Sequence, residues 1–119
     1  MDDNKKEVVQ QEINKAINFL GQNKFSEAEI ICKDIVSKKD NPDAYHILSS
    51  IKIYKQEFDE SIRLVQKSIE INSDNPGYHV TLGCAYSARK DYEKSIKPFK
   101  NALKLNNKVA QVHFYLGES

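Results

Sequence analysis

Three histidines, His46, His79 and His113, recur at intervals of 33 and 34 residues. Such a ladder of imidazoles is the first pattern in the chain that metal chemistry would use. A zinc site, however, needs its nitrogen ligands about 2 Å from one ion. Equivalent places on successive packed helices lie at least about 8–10 Å apart, so these rings cannot share one. Two cysteines, Cys32 and Cys84, offer thiolate chemistry, but no cationic cluster or helix N-terminus stands beside Cys84 to activate it. Asp59-Glu60 and the pair Glu27 and Glu29 fall on outer helical faces and read as solvated charge. There is no phosphate-binding loop, no His-Glu-x-x-His and no nucleophile elbow. The residues point to no enzyme, no metal and no cofactor.

Composition narrows the partners. Eighteen Lys and Arg against 17 Asp and Glu leave a formal charge of +1, with both signs interspersed. That leaves no electrostatic footprint for nucleic acid or an anionic membrane. No apolar run approaches the roughly 18 residues that a membrane span requires. The polar start, Met1-Asp2-Asp3-Asn4-Lys5-Lys6, lacks the apolar stretch of a signal peptide. Two cysteines far apart then imply free thiols and a cytoplasmic setting. A hydrophobic fraction of 39% beside 29% charged residues suits a thin fold with much surface per residue.

The elements that carry these residues emerge from a repeat. At a shift of 34, Asp40-Asn41-Pro42 falls on Asp74-Asn75-Pro76, Phe58 on Tyr92, Ser61-Ile62 on Ser95-Ile96, and Leu48 on Leu82 and then Leu116. Ile69 and Ile71 fall on Leu103 and Leu105. Backwards the shift is 33, pairing Phe25 with Phe58, Ala28 with Ser61 and Cys32 with Val65. Each unit reads as two helices. Asn41 and Asn75 are N-caps, each followed by a proline at the first helical position. Tyr45, Leu48, Ile51 and Tyr54 recur at helical spacing, Lys55-Gln56-Glu57 turns the chain, and Phe58, Ile62, Val65, Ile69 and Ile71 follow inside a second helix. Pro98 predicts a local bend in the corresponding helix of the next unit.

These residues carry a resemblance. His79-x2-Leu82-Gly83-x2-Tyr86, then Ser95-x3-Phe99 and Ala102, is similar to the tetratricopeptide repeat pattern. Tyr45-x2-Leu48-Ser49 with Phe58, Ser61 and Ser68 fits with Lys52 in place of an aromatic. Ala16, Phe19, Phe25 and Ala28 keep the pattern in a first unit whose Lys15 stands where a leucine belongs, as in a capping repeat. The resemblance implies an all-α, right-handed superhelical solenoid of antiparallel helix pairs, with about seven helices in one domain over 1–119. Its repeats run about 9–41, 42–75 and 76–109, with a partial repeat at 110–119. A last helix from Val109 to at least Gly117 would have no partner after it. The chain is therefore expected to be the N-terminal piece of a longer protein.

In this family the first helix of every unit lines the inner wall of the groove. That implies three matched stripes: Ile13, His46, Val80 and Phe114; Ile17, Ser50, Cys84 and Glu118; Leu20, Ile53 and Ser87. The partner-binding residues expected from them are Ile13, Ile17, His46, Ser50, Ile53, Val80, Cys84, Ser87 and Phe114. Members that grip a C-terminal carboxylate use Lys, Asn and Arg at such places, and here apolar and small residues stand instead. The function expected is a protein-interaction module that holds an apolar or amphipathic peptide or helix in its concave groove. Alternatives are a substrate-recruiting N-terminal region of a glycosyl-, sulfo- or methyltransferase, or a scaffold that self-associates through its last helix. Cys32, at the place of Val65 and Phe99, belongs to the core, and His79 and His113 replace a packing aromatic.

Overall fold

The computed structural model of the chain describes residues 2–105. They form six helices, α1 (Asp2–Gly21), α2 (Phe25–Lys38), α3 (Pro42–Tyr54), α4 (Phe58–Ile71), α5 (Pro76–Ala88) and α6 (Tyr92–Leu105). No strand occurs among the described residues. The expected seventh helix, with His113 and Phe114, lies outside them. Each helix packs on its neighbours in the chain, and α1, α3 and α5 also touch in series. The result is a linear stack of helix pairs. α1 starts seven residues ahead of the repeat register.

The caps are those the repeat implied. Asn41 Oδ1 accepts from the Ala44 amide at 3.0 Å, and Asn75 Oδ1 from the Gly77 amide at 2.9 Å. Pro42 and Pro76 open the helices they precede. The second helices use no side-chain cap at Lys24 or Glu57. Here the turn itself does the work. Asn23, Gln56 and Lys90 adopt φ values of 61, 65 and 71°. The amides that follow them, Lys24, Glu57 and Asp91, reach back to the carbonyls of Phe19, Lys52 and Tyr86 at 2.8, 2.8 and 2.9 Å. This six-to-one closure satisfies carbonyls at the end of each first helix.

The core follows the repeat register with four corrections. Tyr54, Ile71, Tyr92 and Leu105 share helical spacing with core residues yet remain 66, 46, 55 and 41% exposed. They sit at helix ends, where the spacing continues but the side chain stays partly open to solvent. Tyr54 compensates by stacking on Phe25, with ring centroids 4.1 Å apart. α6 runs unbroken through the buried Pro98. At the leading face of the stack, Glu12 and Lys15 occupy the places that Tyr45 and Leu48 fill in the next unit. Tyr45 and Leu48 are buried, whereas Lys15 is exposed.

What sets the distance within each pair is a contact between small residues. Ala16 and Ala28, Ser49 and Ser61, and Gly83 and Ser95 are all buried. Ser49 Oγ donates to the Ser61 carbonyl at 2.8 Å, which leaves the Ser61 hydroxyl to donate to Ser49 Oγ at 2.8 Å. Both hydroxyls are thereby satisfied in a dry crossing. In the third unit Phe99 is 1% exposed and lies across residue 83 so closely that a β-carbon there would meet its ring at 2.5 Å. Only glycine fits opposite a phenylalanine.

Two predictions follow from these contacts. Gly83→Ala should cost about 1–3 kcal/mol, the usual range for overpacking. Adding Phe99→Val, the residue type of the preceding unit, should recover part of that loss, so that urea midpoints show strong non-additivity. Gln56→Gly and Lys90→Gly should each raise stability by about 0.5–1 kcal/mol by relieving a left-handed backbone. Asn23→Gly should change the melting temperature less, because asparagine tolerates that conformation.

Candidate binding groove

α1, α3 and α5 stand side by side, and their shared wall has a seam and an open face. The seam joins α3 to α5 through two hydrogen bonds. Tyr78 donates its hydroxyl to Asp43 Oδ1 at 2.6 Å. His46 Nε2 and Thr81 Oγ1 meet at 2.7 Å. The His46 ring also packs edge-on against Tyr78, with centroids 5.0 Å apart. Burial holds the His46 imidazole below its ordinary pKa, and the nearby Asp43 carboxylate offsets this only in part. Burial, and then the bond to Asp43, push the Tyr78 phenol well up.

The first expected stripe belongs to this seam rather than to an open surface. Ile13 is 1% exposed and packs in the core with Ala16, Ala28 and Cys32. Its place on the groove wall is corrected accordingly. An apolar side chain at the junction of α1 with α2 and α3 is drawn inward, whereas a polar one bridges. His46 does bridge, and Val80 is partly buried against Phe99 and Ala102. The other two stripes are more open. Ile17 is 50% exposed, and Ser50, Cys84, Leu20, Ile53 and Ser87 are half-buried. Ser50 Oγ donates to the His46 carbonyl of its own helix at 3.1 Å. Phe114 lies outside the described residues.

The α3 and α5 part of the wall carries little charge. α5 has no charged side chain at all. On α3, Asp43 accepts from Tyr78, and Lys52 pairs with Glu57 at 3.4 Å. Burial pushes the Cys32 thiol up to about 12, in keeping with its core position. Among the described residues no group of three or more His, Cys, Asp or Glu gathers as a metal site would require. None of the described helices is long and apolar enough to cross a membrane.

Sequence reasoning missed Thr81, Tyr78 and Asp43 as a group. Each sits one to three places from an expected wall residue, and the signal was their mutual spacing. Asp43 to Tyr78 and His46 to Thr81 are both 35 apart, one more than the repeat. Such an offset marks contacts between units rather than equivalence. In the unfolded chain His46 titrates near 6.5, and in the fold only at lower pH. Between those values the unfolded chain binds more protons, so stability falls as pH drops below about 6.5 and levels once the folded ring is also protonated. His46→Gln keeps a donor for Thr81 but cannot titrate. Its urea midpoint should fall less steeply than the parent's between about pH 7 and 5.

A family model for the tetratricopeptide repeat matches residues 42–75 and 76–109. No curated protein matches the chain. Among solved structures it is similar to MamA, with a TM-score of 0.83 at 18% identity over 92% of this chain and 64% of that one. An O-GlcNAc transferase mutant from Thermobaculum terrenum matches with 0.87 at 18% identity, over 91% of this chain and 21% of that one. The first TPR domain of Spaghetti (RPAP3), bound to the HSP90 peptide SRMEEVD, matches with 0.87 at 16% identity over 92% and 90%. At such identities the likeness is one of fold, and the chain spans less than two thirds of MamA. The all-α solenoid of antiparallel helix pairs is borne out by these matches. With the model covering more than half of its residues, the chain belongs to the tetratricopeptide repeat family.

Proposed function

We propose that the chain is a protein-interaction module whose inner wall holds an uncharged, apolar-rich segment of a partner protein. One observation carries this reading. Of the wall residues expected on α1, α3 and α5, those that remain accessible are Ile17, Leu20, Ile53, Ser50, Cys84 and Ser87, and neither α3 nor α5 presents an unengaged charge. A segment that brought its own charges would lose their hydration and find no counter-ion. An acidic peptide such as the one held by the Spaghetti domain is thus a poor fit, although the fold is shared. Neither Cys32 nor Cys84 forms a disulfide, which suits a cytoplasmic setting. The transferase match favours a second reading, in which the same wall recruits substrates for a longer enzyme.

Selection from a random peptide library tests the wall directly. The recovered sequences should be apolar-rich and depleted of Asp and Glu. Ile17→Asp should weaken them by about tenfold or more, which corresponds to roughly 1.4 kcal/mol, with the melting transition nearly unchanged because the side chain is half exposed. Recovery of acidic C-terminal peptides, or indifference to Ile17→Asp, would refute the assignment.

A further inference from the structure

The outer face of the stack has its own groove, of about 660 Å³, between α4 and α6. Its floor is Leu82, Tyr86 and Pro98, and Lys94 and Lys97 form one side. Pro98 lies in this groove. One unit earlier that place belongs to Leu64, which is 6% exposed and accompanies a Leu48 that is 4% exposed. The shorter proline ring leaves Leu82 half-buried instead. Proline also has no N–H, so the Lys94 carbonyl loses its helical donor.

The charges beside this groove differ from those on the other outer helices, α2 and α4. On α2, Lys33 pairs with Glu29 at 3.4 Å and Lys38 with Asp34 at 3.3 Å. On α4, Arg63 pairs with Glu60, and Lys67 lies over the Tyr45 ring. α6 carries Lys94, Lys97, Lys100 and Lys104 against the single acid Glu93. All four lysines are exposed, and among the described residues none meets a carboxylate.

We propose that this outer groove is a second docking surface, for an acidic amphipathic segment of a partner protein. The apolar side chains of that segment cover Leu82, Tyr86 and Pro98, and its carboxylates meet the lysines of α6. Glu70 on the α4 side and Glu93 in the first turn of α6 also line the groove and repel carboxylates, so the acidic edge of the partner lies toward Lys94 and Lys97. A backbone or side-chain donor of the segment reaches the Lys94 carbonyl. The surface is independent of the inner wall, which prefers uncharged segments.

The test uses two fluorescent helical peptides as probes, one of Leu and Glu with leucines at helical spacing, the other of Leu and Lys. Anisotropy should show binding of the acidic probe alone. Lys94→Glu with Lys97→Glu should weaken it about tenfold or more. Pro98→Leu, which refills the groove and leaves every charge in place, should weaken it as well, and Ile17→Asp on the inner wall should leave it unchanged. Circular dichroism establishes that each variant is folded. No binding, equal binding of both probes, loss through Ile17→Asp, or indifference to the lysine reversals would overturn the proposal. So would tighter, lysine-dependent binding of duplex DNA or of anionic vesicles, which would make α6 a nucleic-acid or lipid surface.

Discussion

Two helices can run antiparallel at close range only where neither carries a bulky side chain, and that constraint organises this molecule. Ala16 and Ala28, Ser49 and Ser61, and Gly83 and Ser95 are the buried small residues of the three pairs, and Ser49 and Ser61 meet directly. The large residues then fill the space to either side, as close packing demands. The Phe99 ring over Gly83 is the tightest instance. Everything that faces outward, from the inner wall to the outer groove, is aimed by these crossings, because a helix held at one contact has little freedom to rotate.

The contacts between units are of another kind. They join α3 to α5 through Tyr78 with Asp43 and His46 with Thr81, polar bonds that fix register along the wall. Within a pair the glue is apolar contact plus buried serine hydroxyls. Between pairs it is apolar contact plus directional bonds that reach the groove. Both faces of the stack therefore change character along its length: the wall is more apolar at Ile17, Leu20 and Ile53 than at Ser87, and the outer face is ion-paired at α2 and α4 but open and basic at α6.

Much of the fold was legible in the sequence because the repeat multiplies every signal. Asparagine caps, prolines at helix starts and small residues at crossings each occur more than once, so their periodic recurrence separates them from chance. The site was less legible. Periodicity assigns a residue to a helix face but not to how far a neighbouring helix leans over it, and Ile13 and His46 share a register place with opposite outcomes. The turns were hidden for a related reason: Gln56 and Lys90 hold a backbone conformation that usually betrays itself by glycine. Helix ends misled in turn, since Tyr54 and Tyr92 keep core spacing yet stay more than half exposed. The effect of Pro98 on the outer face emerges only when α4 and α6 are seen across α5.

Among the described residues each helix packs mainly on its neighbours in the chain and on the next helix along the wall, so the first pair and the third are coupled chiefly through the second. Opening one end therefore leaves the middle intact, and the molecule can melt from its ends inward in steps smaller than the whole. A segment laid along α1, α3 and α5 would supply the missing long-range link. It would act as a splint that makes separate units unfold together, so occupancy would register as cooperativity as well as affinity.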